Sequence, residues 1–426
     1  MASFLRKPIT IGIVCLLIGL IIGGGIWYAF APRQAPTGQM LSGEITIGEI
    51  ELLTGTESYL GMLGSAGTKL AAQDINQFLQ ASGQHFTIRL ETEDTMSTPE
   101  GALEKIQALH ARGLDLTVGT GTTTQMANIL GYLNSNKIVH INAVSNGPGV
   151  IGRGNSFLFR TTPTDVVNMR GHAVLLLAAG VTHVFIFQGN QPVLEDGTTL
   201  VTKNFHELGG TVEAVIKYDM AAKEFSGEVR RMNDLVTAAI QKYGKEHIAI
   251  DLMGFAEGAL ILKAAAEYPA LMSILWISND SNSQSTIYLE QAGEAAAKVL
   301  FACPGFGVTK SAKYTDLAAR LEEMLGSYPG SGAITAYDDL WILVLAMIAT
   351  QSSNPEMVQK AIPSVAANYF GASGWTSLNA DGDRAYGDFD VWGVFKKDGK
   401  IYWEMIGVYV ASSDTGTWWI SPLLPP

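Results

Sequence analysis

Strands and helices alternate along most of this chain, and this alternation constrains its fold more than any other feature of the sequence. It is clearest at residues 116–148, where a short apolar strand, a glycine turn, a helix and a second strand follow one another. Gly119 and Gly121 permit a tight turn, and Thr122 followed by Gln125 matches a helix-capping pattern. Such alternation predicts parallel strands joined by helices, with two small, hydroxyl-rich turns at the same edge of one sheet.

The alternation forms two series, and each series predicts one α/β lobe. The first series predicts helices at 64–79 and 98–111 and strands at 45–50, 86–92, 116–118 and 138–141. The second predicts strands at 181–187, 211–218, 247–254 and 273–278. After Asp280 the pattern changes to a strand at 298–303, helices at 312–325 and 336–350, and a β-rich tail with a hairpin turn at 397–399. The fold class predicted is therefore α/β, with two doubly wound parallel-sheet lobes.

Composition supports two lobes and argues against a highly charged partner. The chain has 426 residues, of which 47% are hydrophobic, enough to bury more than one core. Its formal charge of −12 comes from 40 acidic and 28 basic residues without blocks of either sign. Solubility accounts for this charge, and nucleic acid is not expected as a partner.

The amino terminus contains a run long enough to cross a membrane. Residues 9–30 carry no charge, and at helical rise they would span a hydrocarbon core of about 30 Å. Arg6 and Lys7 precede the run, so residues 1–8 are predicted to be a cytoplasmic stub and the folded part to lie outside the cell membrane. We interpret 9–30 as a transmembrane anchor, with a signal peptide as the alternative, and 31–44 as a linker.

The outer portion resembles the type I periplasmic solute-binding proteins, the family of the Leu/Ile/Val-binding protein of ABC transporters. Each matching motif is weak alone, but eight of them follow the family's order. They are IGEIELLTGTESYLG (47–61), VGTGTTT (118–124), HINAVSNGP (140–148), FRTTPTD (159–165), FAEGALILKAAAEY (255–268), GEAAAKVLF (293–301), AYDDLWILVLAMI (336–348) and LNADGDRAYGDFDVWGVFKKDGK (378–400).

This resemblance implies two lobes that are joined by three crossovers and close on a ligand. We place the crossovers near Pro163, Asp280 and Gly387. The amino-terminal lobe would then combine 45–163 with 282–386, and the carboxy-terminal lobe would combine 164–281 with 387–426.

On the first lobe, the resemblance implies a group that holds a ligand carboxylate. The family's hydroxyl after the third strand falls on Thr122 or Thr123, and its turn after the fourth strand falls on Ala143, Val144 and Ser145. Turn N–H groups and hydroxyls suit an anionic group. The alternative is structural: Thr122 can cap its own helix, and the second stretch can be an ordinary turn.

The resemblance implies two further residues that contact the ligand, one on each lobe. The tyrosine of the first βα loop falls on Tyr59, and the glutamate that pairs with a ligand ammonium falls on Glu257. As an alternative, Glu257 is an acid that complements a helix dipole. The chain departs from the family at QGNQPVLEDG, residues 188–197, which lacks the tyrosine expected there. A branched-chain amino acid ligand therefore does not follow from the resemblance.

Several other activities find no support in the sequence. A third glycine is missing after Gly121, which argues against a dinucleotide site, and there is no phosphate-binding GxxxxGK[ST] motif. Residues 379–390 are spaced like a calcium loop, but Arg384 replaces the required glycine, so a turn is the better interpretation. No catalytic set of residues is recognisable, and neither a cofactor nor a metal is predicted.

The sequence thus favours a membrane-tethered, extracytoplasmic receptor of an ABC importer, which binds a small amino acid or amide and delivers it to an ABC permease. The alternative is a sensory ectodomain that signals through a partner membrane protein, since residues 1–8 are too short for an output domain. An extracellular enzyme is the third and weakest hypothesis.

Overall fold

The computed structural model describes residues 41–150, 156–308, 310–326 and 329–421. The predicted stub, the predicted anchor and residues 31–40 of the predicted linker lie outside the described residues. The first strand begins at Gly43, so the last two linker residues are part of the folded region. Among the described residues, one helix, Gly330–Thr350, is long and apolar enough to cross a membrane, and 67% of its most apolar stretch is buried inside the protein.

The elements alternate as the sequence predicts. The strands are β1 Gly43–Glu51, β2 Phe86–Asp94, β3 Leu116–Gly119, β4 Val139–Asn142, β5 Leu158–Pro163, β6 His183–Gly189, β7 Thr211–Tyr218, β8 Ile248–Met253, β9 Leu275–Ser278, β10 Ala302–Gly307, β11 Phe370–Gly371, β12 Gly374–Trp375, β13 Asp383–Arg384, β14 Asp388–Lys397, β15 Lys400–Val410 and β16 Thr415–Trp418. The helices are α1 Ser58–Ala81, α2 Pro99–Ala111, α3 Thr123–Asn136, α4 Asp165–Ala178, α5 Pro192–Glu207, α6 Ser226–Tyr243, α7 Gly258–Ala265, α8 Thr286–Lys298, α9 Ala312–Leu325, α10 Gly330–Thr350 and α11 Pro355–Ala367.

These elements build two main sheets. The first has the order β13-β5-β4-β3-β1-β2 with parallel pairing throughout. The second has the order β16-β15-β14-β10-β9-β8-β6-β7, in which β6 to β10 are parallel and the last three strands form antiparallel pairs. In both sheets the first strand lies between the second and the third, so the strand order reverses as in doubly wound folds. This confirms the predicted α/β class with parallel-sheet lobes.

One part of the predicted lobe boundaries is wrong. Strand β10, which we assigned to the first lobe, pairs with β9 through Ala302 and Ile277 and with β14 along its length, so it belongs to the second sheet. Helix α8 packs on the same sheet, because Gly293 lies against Ile401 of β15. The segment from residue 282 to Gly307 is therefore part of the second lobe, and the chain crosses after Gly307 rather than near Asp280. The strand predicted at 298–303 also starts later, because α8 continues to Lys298.

The connections between the two sheets converge at one place. Strand β5 ends at Pro163, and a Cβ atom on Gly387 would overlap its ring. The same added atom would lie 3.2 Å from the ring of Phe306, which is in β10 just before the second crossover. The guanidinium of Arg384 lies 4.7 Å from the centre of the Phe306 ring. Each of the three crossovers thus has one of the neighbouring residues Pro163, Phe306 and Gly387 at or beside it.

Helix α1 starts earlier than predicted and carries a face of glycines. The sequence predicts a helix from about residue 64, but the helix begins at Ser58 and includes three glycines in its first ten residues, each of which disfavours helix by about 1 kcal/mol. A Cβ on Gly61 would overlap the backbone of Leu52, and a Cβ on Gly67 would overlap the carbonyl oxygen of Ala333. The absent side chains let α1 pack closely against strand β1 and helix α10, and this packing outweighs the low helix propensity.

Replacing Gly67 with alanine should separate α1 from α10. We expect the free energy of unfolding to fall by about 1–3 kcal/mol, because the added methyl group has no room. Gly131→Ala in α3 is the matched control: no atom lies within 4 Å of its added Cβ, so it should be neutral or slightly stabilising. Urea unfolding followed by circular dichroism measures both changes, and equal stabilities of the two variants would contradict the close packing.

Candidate functional site

The residues predicted to bind a ligand lie in the loops at the carboxyl ends of the parallel strands or, for Tyr59 and Thr123, in the first turn of the helix that follows the loop. Thr122 is the cap of α3: its hydroxyl accepts a hydrogen bond from the Gln125 amide at 3.4 Å, and the Gln125 side chain accepts one from the Thr122 amide at 3.3 Å. The structural role that we considered for Thr122 is therefore observed. Its hydroxyl also lies 3.0 Å from the hydroxyl of Thr124.

Thr123 and Ser145 are brought together from two neighbouring loops. The Ser145 hydroxyl donates to the Thr123 hydroxyl oxygen at 3.4 Å, and that oxygen also accepts the Gly147 amide at 3.0 Å. Ser145 is buried, with 1% of its surface exposed, whereas Thr123 is half-buried. Because the Thr123 oxygen accepts both of these bonds, its own proton remains available for an acceptor in front of the sheet edge.

The main-chain amides of the turn 143–145 are already engaged within the protein. The side-chain oxygen of Asn142 accepts the amides of Val144 and Ser145 at 3.0 and 2.6 Å. The Ala143 amide donates to the carbonyl oxygen of Gly119 at 3.2 Å. Sequence analysis assigned this turn to a ligand carboxylate and missed Asn142, the last residue of β4, which orders the turn. These three amides are therefore not free to bind a ligand carboxylate.

Glu257 lies at the carboxyl edge of the second sheet, directly before α7. Its Oε1 accepts a hydrogen bond from the Tyr218 hydroxyl at 2.8 Å and another from the Phe255 amide at 3.0 Å. Its other carboxylate oxygen, Oε2, has no hydrogen-bond donor within the described ranges. The carboxylate is thus held in place by one oxygen, and its second oxygen is available to a ligand.

Tyr218 and Glu57 were not singled out from the sequence, although both follow the rule that pointed to the loops. Tyr218 is the last residue of β7 and is buried, with its hydroxyl on Glu257. Glu57 precedes α1 on the first lobe, two residues before Tyr59, whose side chain is 50% exposed. Burial, and then the negative charge of Glu257, raises the pKa of the Glu57 carboxyl. The two carboxyl groups therefore interact electrostatically from opposite lobes.

The loop without the expected tyrosine is tied to its neighbour. The Asn190 side chain donates to Asp219 at 3.1 Å and accepts the Met220 amide at 3.1 Å. A Cβ on Gly189 would lie 2.8 Å from the sulfur of Met220. The loops after β6 and β7 are thus connected to each other on the second lobe. Their side chains include the Asn190 amide and the Met220 thioether in place of the expected tyrosine.

The stretch that resembles a calcium loop serves a different purpose. Asn379 accepts the amides of Asp381 and Asp383 at 2.9 and 3.1 Å, which forms a turn. The Asp383 carboxylate pairs with the Arg160 guanidinium through two bonds of 2.6 and 2.7 Å, and Arg160 also donates to the Gly147 carbonyl oxygen. Asp383 thereby fastens β13 to β5. Across the described parts of the chain, no three His, Cys, Asp or Glu side chains are arranged to hold a metal.

A second acidic pair lies where the chain crosses between lobes. The side-chain amide of Asn146, on the first lobe, donates to the Asp280 carboxylate at 2.9 Å. The main-chain carbonyl oxygen of Asn146 accepts a hydrogen bond from the Asp165 amide at 2.8 Å. Burial, together with the charge of Asp280, raises the pKa of Asp165 to about 8. Burial likewise raises the pKa of Asp280 to about 6. The pair of carboxyl groups therefore holds about one proton at neutral pH.

This pair should make the folded protein less stable as the pH rises. The pKa of both groups is higher in the folded chain than the value near 4 expected after unfolding, so the stability from the neutral forms is present below about pH 4. It is lost as the pH rises through about 6 and 8. Asp165→Asn removes the ionising group, and its Tm relative to the unmodified protein should rise by about 2–4 °C between pH 5 and 8.

Scanning fluorimetry across this pH range measures the Tm difference. The control is Asp398→Asn, at an exposed hairpin turn, whose Tm difference should stay constant with pH. A constant difference for Asp165→Asn as well would show that the pair does not titrate in this range.

Comparison with known proteins identifies the family. Residues 65–397 match the family model described as receptor family ligand binding region. The chain belongs to this receptor family. The members of this family share a ligand-binding region. An uncharacterized protein of Methanocaldococcus jannaschii is 25% identical over 94% of this chain and 99% of its own length.

Solved structures similar to this member of the receptor family share its fold. A leucine-binding protein of Thermotoga maritima superposes with a TM-score of 0.72 at 20% identity, covering 87% of this chain and 99% of its own. A branched-chain amino acid transporter substrate-binding protein of Streptococcus pneumoniae, in complex with isoleucine, superposes with 0.69 at 18% identity, covering 85% and 99%. An ABC transporter solute-binding protein of Rhodopseudomonas palustris, in complex with 3,4-dihydroxybenzoic acid, superposes with 0.69 at 18% identity, covering 86% and 98%. These matches confirm the type I periplasmic binding-protein fold.

Proposed function

We propose that this chain is an extracytoplasmic solute-binding receptor of an ABC importer and not an enzyme. In this proposal residues 9–30 tether it to the membrane, and it delivers a small polar ligand of the amino acid or amide type to an ABC permease. Membership of a ligand-binding receptor family supports the proposal, as does the fold shared with structures of bacterial solute-binding proteins.

The observation that carries the proposal is the available oxygen of Glu257. A carboxylate that is held by Tyr218 and Phe255 through one oxygen and presents the other at a sheet edge suits a ligand N–H group. On the other lobe, the Thr123 hydroxyl, whose oxygen accepts bonds from Ser145 and Gly147 and whose own proton is left over, suits a polar acceptor. A ligand that contacts both lobes stabilises a closed arrangement and so shifts the population towards it.

A ligand panel tests this function on the purified protein. Amino acids, amides and short organic acids are added singly, and thermal unfolding is recorded. At a ligand concentration 100 times its Kd, binding should stabilise the folded state by about 2.7 kcal/mol. Small-angle scattering should show a decrease in the radius of gyration with the same ligand. A stable complex with a permease supports import, whereas a complex with a membrane kinase supports the sensory alternative. The absence of any thermal shift across the panel would refute the ligand class.

A further inference from the structure

Strand β16 forms one edge of the second sheet, and part of its main chain is left without hydrogen bonds. One residue beyond the strand, the Trp419 amide donates to the Ile406 carbonyl oxygen of β15 at 2.8 Å. Successive residues of an antiparallel strand direct their N–H and C=O groups alternately to either side. Because Trp419 is directed towards β15, the main-chain groups of Gly416 and Trp418 are directed away from it. Within the described residues these outward groups form no hydrogen bond.

The edge is fixed to the body of the lobe before anything pairs with it. The indole nitrogen of Trp418 donates to the Leu175 carbonyl oxygen of α4 at 2.9 Å. In the turn before β16, Asp414 accepts bonds from the Arg170 guanidinium at 2.6 Å and from the Tyr409 hydroxyl at 2.9 Å. A second strand could therefore pair with β16 without first ordering it, which lowers the entropic cost of association.

The other edges of the two main sheets are short or charged, and β16 differs from them. Strand β13 has two residues, and the edge strands β2 and β7 carry charged side chains. These are Arg89, Glu91, Glu93, Glu213 and Lys217. Charged side chains at an edge discourage pairing with another chain. Residues 415–421 carry no charge, although the whole chain has a formal charge of −12, and Trp419 among them is 55% exposed.

We infer that β16 pairs in an antiparallel manner with β16 of a second copy of this chain, with Thr417 on the two-fold axis. In this register Gly416 of each copy faces Trp418 of the other, so every outward N–H meets an outward C=O. Thr415 faces Trp419, so the exposed indole is partly covered by a small side chain. No charged side chain faces another, and a two-fold pairing of one strand with itself closes after two copies.

This pairing is weak by itself and depends on the local concentration of the chain. Its four main-chain hydrogen bonds contribute about 1 kcal/mol each, which roughly offsets the freedom lost on association. Confinement of the copies to one membrane by the anchor of the proposed function raises their effective concentration. The full chain in lipid vesicles is therefore the sample in which the pairing is expected.

Disulfide formation at one residue tests the register of the pairing. Thr417→Cys, in the full chain with Cys15→Ser, places two thiols on the axis, where the opposed Cα atoms lie about 4.5 Å apart and suit a disulfide. Thr415→Cys is the matched control, since it is also exposed on β16 but its two copies would lie about 14 Å apart. Cys303 is buried in both variants. After mild oxidation, Thr417→Cys should form at least 10 times more disulfide-linked dimer than Thr415→Cys.

Two further variants distinguish strand pairing from random collision in the membrane. In the Thr417→Cys chain, Trp419→Lys should reduce the linked dimer at least 5-fold, because it removes the indole and brings charge to the paired edge. Thr211→Lys, at an exposed position on the opposite edge strand β7, should leave the yield unchanged. Circular dichroism establishes that each variant is folded. Equal yields from Thr417→Cys and Thr415→Cys would overturn the inference and leave this edge to a strand of another protein. A yield that Trp419→Lys leaves unchanged would overturn it as well.

Discussion

Asp383→Ala should lower the free energy of unfolding by about 3–5 kcal/mol. The substitution removes the carboxylate that forms two hydrogen bonds with Arg160, a side chain with 1% exposure. The guanidinium would remain buried with only the Gly147 carbonyl oxygen to accept its hydrogen bonds. Chemical denaturation followed by fluorescence measures the loss.

Two controls separate burial of the charge from loss of an ion pair. Glu294→Ala removes the exposed partner of Lys396 and should change stability little, because surface pairs contribute little. The double variant Arg160→Met/Asp383→Leu removes both charges and should be more stable than Asp383→Ala alone. If Asp383→Ala were no less stable than Glu294→Ala, the Arg160 guanidinium would not depend on its carboxylate.

Glu257→Gln should weaken ligand binding by about 100-fold or more. The substitution keeps the shape of the side chain but replaces the negative oxygen that is available to a ligand, and charge-assisted hydrogen bonds are about twice as strong as neutral ones. A loss of 100-fold corresponds to about 2.7 kcal/mol of binding free energy. Titration calorimetry with whichever ligand the panel identifies measures this loss.

The neighbouring residues supply the comparison for Glu257. Tyr218→Phe removes the hydroxyl that donates to Glu257 at 2.8 Å and should weaken binding by about 10-fold, because the carboxylate is less well held. Glu267→Gln, at an exposed position on the same lobe, should have no effect. An affinity that Glu257→Gln leaves unchanged would exclude this side chain from ligand recognition.

Local features of this fold were predictable from the sequence, and features that depend on distant partners were not. Thr122 and Gln125 form the predicted cap because both partners lie within one helical turn. Asp398 and Gly399 form the predicted turn between β14 and β15 because positive backbone angles there are a local requirement. Strand β10 was assigned to the wrong sheet, since nothing in its own residues shows which strand it will pair with.

The candidate site shows the same division. Sequence comparison pointed to Thr123, Ser145 and Glu257, which all lie at strand ends. It did not point to Tyr218, because the bond that gives this residue its place joins the end of β7 to a loop 39 positions later in the chain. Asn142 was missed for the opposite reason. Its bonds to the next turn are local, but an asparagine at a strand end has several possible partners in sequence and only one in space.

The convergence of the crossovers at Pro163, Phe306 and Gly387 determines how the lobes can move. Strands β5 and β13 leave the first sheet side by side and are fastened together by Arg160 and Asp383, so their two connections must bend together. The third connection begins beside them, where Phe306 touches the same point. Three connections at one place allow rotation about a common axis but resist twisting and sliding. Any relative motion of the lobes should therefore follow a single angular coordinate, which one pair of distance labels would suffice to record.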